Sequence, residues 1–226
     1  MRRSIKNVLD IPNYAPSEAK RYFHLPLSTM EYWAEGGSEA LVRLASVRPS
    51  LLSFNNLVEF YVLEGLRKVH EVSLHNIRLA VAYMENEMRS DHPFAEYDIR
   101  TEGRYVWFFR DGNPVNASRD GQVGFNAIVS PYLKRVSRGP SGRAEAIIPF
   151  TKKEYREAEH SPELVEIDPG RCFGAPVLMH SRITTSFLAG RYLGGDSVPA
   201  IAQSYGRPVG QIKEAIEWQI GRKIAA

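Results

Sequence analysis

The sequence predicts an α+β fold, predominantly helical, with a helix-turn-helix at each end and a small β/α region between them. Three observations lead there. Apolar residues recur at helical spacing between positions 54 and 88, the texture changes to strand-like runs between 97 and 110, and two segments have the layout of short helices around a tight turn. The expected partition is 1–94, 95–160 and 161–226, with the polar stretch TKKEYREAEHSPE as linker.

In the first part, helices are expected over Pro16–Phe23 and Ser28–Glu35, and Ala40–Val47 alternates as a strand does. Phe54, Leu57, Val58, Tyr61, Val62, Leu66 and Val69 draw one apolar stripe on a long helix. Ser73 reads as the N-cap of the next helix, whose buried stripe is Leu74, Ile77, Val81, Met84 and Met88, with Asp91-His92-Pro93 as its end.

The middle part starts with two strands around Glu102-Gly103, followed by a turn at Asp111-Gly112-Asn113-Pro114. Val123–Val136 reads as a helix interrupted at Pro131, Gly139-Pro140-Ser141-Gly142 breaks it, and Ala146–Phe150 reads as a strand. The last part begins extended over Leu164–Thr185, continues through the apolar stretch Phe187–Leu193, and closes with helices over Val198–Tyr205 and Val209 to about Ile220.

Composition narrows the function classes. The chain has 226 residues, with Lys+Arg 29 against Asp+Glu 26, spread so evenly that no third of it is a basic block. A histone-like polycation and an acidic tail are both excluded. Any nucleic-acid surface must come from a few cations placed on one face. One cysteine, Cys172, excludes a disulfide framework and a multi-thiolate zinc site, and fits a reducing compartment. The first residues carry two arginines but no apolar run, and no segment has the 18–20 or so apolar residues of a membrane span. The expected location is the cytoplasm, with no membrane partner.

The segment VPAIAQSYGRPVGQIKEA places a small residue, Ala202, where helices would touch and Gly206 in the turn. Val209, Ile212, Ala215 and Ile216 supply the inward seam of the second helix. Gln211 and Lys213 are then offered to base edges or phosphates, with Arg207 at the N-terminal side. APSEAKRYFHLPLSTMEYW repeats the layout, with Lys20 and His24 where a small residue and a glycine would stand. Ser28, Thr29, Glu31 and Tyr32 form its expected reading face, with Lys20 and Arg21 near phosphate. The competing reading of both segments is a pair of helices packed in a core or a dimer.

Signals for catalysis are poor. No Walker loop, G-x-G-x-x-G, G-x-S-x-G or H-E-x-x-H motif occurs, so no catalytic residue, metal ligand or cofactor site is assigned. His70 and His75 read as solvated residues at helix ends. Glu85 and Glu87, two apart on a helix, point to different sides. Cys172 reads as a small buried residue in a strand, and Tyr105-Val106-Trp107-Phe108-Phe109 as strand core.

Two stretches resemble known families. Val165–Ile220, with Ile167-Asp168-Pro169, Phe173-Gly174-Ala175-Pro176-Val177, Ser181-Arg182-Ile183, Gly194-Gly195-Asp196-Ser197 and IAQSYGRPVGQIKEAI, resembles a small bacterial antitoxin domain of formerly unassigned function. The stretch from Ala15 through SFNNLVEFYVLEGLRKVHEVSLHNIRLAVAYM resembles the MerR-like winged helix-turn-helix domain fused ahead of it in larger VapB-type antitoxins. The resemblance implies an antitoxin of a type II toxin–antitoxin system, which represses its own operon and neutralises a PIN-domain ribonuclease by occlusion. The acidic, Mg²⁺-dependent site would belong to that partner.

It also implies a wing around Arg43 and Arg48 touching the DNA backbone. A homodimer on duplex operator DNA, associated with the nucleoid when bound, is expected from the two-fold symmetry of half-sites. Phe173, Val177, Ile183 and Phe187 are its expected contacts, with Phe173–Thr185 as a pairing strand. A stand-alone MerR-like regulator with a ligand-sensing middle region is the alternative, and an enzyme is the third reading.

Overall fold

The computed structural model describes residues 7–23, 25–35, 40–102, 105–110, 113–119, 122–123, 132–151, 162–221 and 223–224. The chain divides into two compact units, Met1–Glu145 and Ala146–Ala226.

In the first unit, α1 (Pro16–Tyr22) and α2 (Leu27–Ala34) precede a minimal hairpin of β1 (Ser46–Val47) and β2 (Ser50–Leu51). Helix α3 (Phe54–Glu64) runs into one π-helical turn, Gly65–Val69, and α4 (Leu74–Met88) and the short α5 (Pro93–Glu96) follow. Antiparallel strands β3 (Ile99–Glu102), β4 (Tyr105–Arg110), β5 (Asn113–Asn116) and β6 (Gln122–Val123) form a sheet in sequence order. Strands β7 (Val136–Arg138) and β8 (Ala144–Ile147) make a second hairpin, and β8 carries the chain into the second unit.

Helix α3 is the axis of the first unit. Its Ser53 N-cap is a reciprocal box: the Ser53 hydroxyl accepts from Asn56 N, and the Asn56 side chain accepts from Ser53 N. Rather than showing the single apolar stripe expected, every residue of α3 is buried, including Asn55, Asn56, Glu59 and Glu64. Neighbours surround it: Phe23 lies against Tyr61 at 6.0 Å between ring centroids, Trp33 stacks on Phe60 at 6.5 Å, and Tyr132 stacks on Tyr61 at 4.6 Å. Most of its polar groups have partners inside the protein, while Asn55 Oδ1 is buried without a hydrogen-bond partner.

Helix α4 starts as expected, with the Ser73 hydroxyl accepting from Asn76 N, and buries Ile77, Val81 and Met84, whereas Leu74 and Met88 at its two ends are only half-buried. It ends at Arg89 in a left-handed conformation (φ 51°), before the Asp91-His92-Pro93 stop, and Pro93 opens α5 instead. The sheet lies against α4, with Tyr83 6.2 Å from Phe108, and Val106, Trp107 and Phe108 are buried as a strand core should be.

Other expectations need correction. Residues 40–45 form no strand, because Asn56 claims their backbone: its amide accepts from Ala45 N at 2.9 Å and donates to Arg43 O at 2.7 Å. Asn113 and Pro114 open β5 rather than sitting in a turn. In place of a helix over Val123–Val136, Val123 ends β6, Leu133–Arg135 is a 3₁₀ turn and Val136 begins β7; residues 124–131 lie outside the described residues. The strand expected over Ala146–Phe150 is β8 and ends at Ile147. Gly103, Asp111, Gly112 and most of the expected linker (152–161) also lie outside the described residues.

The second unit opens with β9 (Val165–Glu166) antiparallel to β10 (Val177–Leu178), and Ile147 bridges Ile167. Three helices follow: α6 (Thr185–Leu193), α7 (Val198–Tyr205) and α8 (Val209–Ile220). In the sequence the first of these shows only as the apolar stretch Phe187–Leu193. Thr184 and Ser197 cap α6 and α7 through their hydroxyls, and Arg191 pairs with Asp196 at 2.6 Å across the loop between them. Thr185 Oγ1 donates to Gln219 Oε1 at 2.6 Å and locks α6 to α8.

Candidate functional site

The candidate surface in the second unit is the α7–α8 pair. Gly206 adopts φ 59° and donates to Gln203 O, while Arg207 N reaches Ala202 O at 3.1 Å, which closes α7 with two crossed backbone bonds. Only a residue at ease with positive φ serves there, as the sequence reading required. Ala202 is 2% exposed, and Ile212, Ala215 and Ile216 are fully buried. Val209, expected in the same seam, is 48% exposed, because it is the first residue of α8 and lies outside the contact.

On the outer side of α8, Gln211 is exposed and Lys213 half-buried. Arg207 is half-buried, and its Nη2 donates to His180 O at 3.4 Å. That bond ties the helix-turn-helix turn to the β10–α6 connection, where His180 (φ 56°) and Arg182 are exposed. The place of His180 is not legible in the sequence, since nothing in its spacing sets it beside Arg207. The acidic residues of α8 are engaged elsewhere: Glu214 accepts from Thr151, and Glu217 from Ile224 N at 3.0 Å.

In the first unit, Ala19, Tyr22, Phe23, Leu25, Met30 and Trp33 are buried between α1 and α2 and their surroundings, while Leu27, expected on the same inner face, is half-buried at the start of α2. Lys20 and Arg21 are exposed at the end of α1; Ser28, Glu31 and Tyr32 are exposed on α2, with Thr29 half-buried. His24 lies outside the described residues. Arg48 stands exposed in the β1–β2 connection, and Arg43 is 3.0 Å from Glu85 and 3.9 Å from Asp91. Arg78 of α4 is a residue the sequence reading passed over: its Nη2 donates to Tyr32 Oη at 3.3 Å.

The residues expected to pair protomers divide sharply. Val177 is fully buried, pairs with Glu166 and bridges Thr184 in its own chain, so it is not offered to a second copy. Ile183 is half-buried, whereas Phe173 is 94% and Phe187 54% exposed. Phe173 and Cys172 both have positive φ in a 3₁₀ turn, Cys172–Gly174. Cys172 is therefore not the buried strand residue expected; it is half-exposed, with Sγ 3.6 Å from Arg182 O.

Titratable groups concentrate inside the first unit. Glu59 is 1% exposed and accepts from Asn56 Nδ2 at 3.3 Å, and His92 Nδ1 lies 3.2 Å from it. His92 Nε2 is 3.7 Å from Asp10, which also accepts from Asn55 Nδ2 at 2.6 Å. Desolvation raises the Glu59 pKa, and the His92 contact and Asn56 only partly offset it. Desolvation pulls His92 down, but the hydrogen bond and charge of Glu59, with Asp10 and Glu96, outweigh it and leave the value raised. His70 is not the solvated residue expected: Thr101 Oγ1 lies 3.0 Å from its Nδ1, and burial lowers its pKa. Among the described residues no group of three or more His, Cys, Asp or Glu could hold a metal ion, and no helix is long and apolar enough to cross a membrane.

Residues 165–218 match a family model described as "Protein of unknown function (DUF433)". The chain is similar, at 26% identity over 234 residues, to a Mycobacterium tuberculosis (strain ATCC 25618 / H37Rv) protein named "Putative antitoxin VapB45"; the match covers 92% of this chain and 94% of that protein. A crystal structure of Rv2018 from Mycobacterium tuberculosis has the same fold, with a TM-score of 0.64 at 22% identity, over 92% of this chain and 99% of that one.

Proposed function

We propose that this chain is the antitoxin of a type II toxin–antitoxin pair, binding duplex operator DNA to repress its own operon and occluding a PIN-domain ribonuclease encoded beside it. The observation that carries the reading is the match to a protein named as an antitoxin along 92% of the chain. The geometry of both helix-turn-helix layouts supports the DNA half of it. In this account α2 and α8 are the reading helices: Ser28, Thr29, Glu31, Tyr32 and Gln211 face base edges, and Lys20, Arg21, Arg207 and Lys213 meet phosphate.

Arg43 and Arg48 of the β1–β2 region act as a small MerR-like wing on the backbone. Arg43 can reach a phosphate by exchanging its pairing with Glu85, since an exposed ion pair contributes only about 0–1 kcal/mol. The protein works as a homodimer, for which the exposed Phe173 and Phe187, with Ile183, are the contacts we assign. It performs no chemistry itself, and the partner nuclease brings its own metal.

Growth tests the reading. Expressing the adjacent reading frame without this chain should arrest growth, and expressing both should restore it. Equal growth with and without this chain would contradict it, as would arrest that this chain fails to relieve.

A further inference from the structure

The phenol of Tyr32 is 55% exposed on α2, and its oxygen already has a partner from another helix, Arg78 Nη2 at 3.3 Å. Arg78 Nε is buried without a hydrogen-bond partner, and among the described residues no carboxylate forms an ion pair with this guanidinium. The Tyr32 contact is therefore the polar engagement that fixes its position.

The chemistry of the two groups is unequal. A guanidinium only donates, whereas a phenol both donates and accepts. With an Arg78 N–H directed at the phenolic oxygen, Tyr32 spends its acceptor capacity inside the protein, and its proton is left for whatever approaches from outside. A hydroxyl held in this way pairs with an acceptor and is mismatched against a donor. In the major groove the acceptors are purine N7, guanine O6 and thymine O4, and the donors are the amino groups of adenine and cytosine.

We propose that Arg78 is a positioning residue for DNA recognition: it fixes Tyr32 as a hydrogen-bond donor, so that α2 selects a major-groove acceptor over an amino edge at one base pair. The inference rests on the assignment of α2 as a reading helix.

The test uses the full chain and a duplex from upstream of its own reading frame, with each base pair of the footprint changed singly. Tyr32→Phe removes the proton, Arg78→Met removes the donors while keeping the stem, and Arg78→Lys retains a donor. Tyr32→Phe and Arg78→Met should each flatten the preference at the same base pair by roughly three- to tenfold, the worth of one hydrogen bond. Arg78→Lys should keep most of it, and all three should melt like the wild type. The slope of log affinity against log salt should not change, since neither residue neutralises a phosphate.

Two results overturn the proposal. Arg78→Met could leave the Tyr32-dependent preference intact, or it could reduce the salt slope by about one contact, which would make Arg78 a phosphate ligand. Failure of the underlying assignment looks different: Lys20→Ala, Ser28→Ala and Tyr32→Phe would all leave binding unchanged while Arg207→Ala weakens it.

Discussion

At the scale of single residues, the protein commits costly groups to its interior. Glu59 and His92 share a hydrogen bond beneath the 3₁₀ turn Val8–Asp10, and both have raised pKa values. The folded state thus holds protons more tightly than the unfolded chain, and the stability this confers falls as pH rises. The His92 contribution is complete below the ordinary histidine value of 6.5 and is lost as pH rises through the raised folded value. Glu59 acts in the same direction above 4.5. His70, with a lowered pKa, opposes them, so the readout is a difference between variants. As pH rises above 6.5, the melting temperature of the wild type should fall more steeply than that of His92→Gln. Parallel pH profiles would exclude the coupling.

Gly65 makes a second residue-scale case. A Cβ there would sit 2.6 Å from Tyr132 Cδ1, and that ring cannot easily give: it stacks on Tyr61, and its hydroxyl donates to Glu64 at 2.8 Å. Gly65→Ala should cost about 1–3 kcal/mol in chemical denaturation, the range for overpacking a filled core. A loss below half a kcal/mol would mean that the ring moves freely.

At the scale of elements, the clearest contrast is between α8 and residues 40–47. The turn of α7 and α8 was legible because it needs local chemistry only: a glycine at positive φ at 206 and apolar residues at 212, 215 and 216. The alternation misled over 40–45 because that backbone is bound elsewhere: Leu41 and Val42 donate to Trp33 O, and Asn56, 11 residues from Ala45, binds Arg43 and Ala45, none of which periodicity reveals. Likewise, α3 looked amphipathic because Asn55, Asn56, Glu59 and Glu64 are polar, yet each is buried. The helix α6 was hidden by its glycine and threonines, although Thr184 caps it.

The DNA contact proposed for α8 is measurable at this scale. Arg207→Ala and Lys213→Ala should each reduce the dependence of log affinity on log salt by about one phosphate contact, with little change in sequence preference. An unchanged slope in both would assign α7–α8 to assembly rather than to DNA.

For the whole molecule, the sequence reveals two pairs of short helices around a turn but not their supporting contacts. The link from Arg207 to His180 and the link from Tyr32 to Arg78 join residues 27 and 46 positions apart. Such pairs arise from tertiary packing, and their residue types carry no sign of it. The same holds for the residues expected to pair protomers: Phe173 and Val177 sit four residues apart in one motif, yet one is 94% exposed and the other is fully buried.

Neutralisation of a nuclease is the central claim, and a purified pair tests it most directly. The full chain and the product of the adjacent reading frame should copurify in a fixed ratio and leave RNA intact, and cleavage should begin when this chain is stripped away. A protein that purifies without that product while still binding its own upstream DNA would contradict the account and favour a stand-alone regulator.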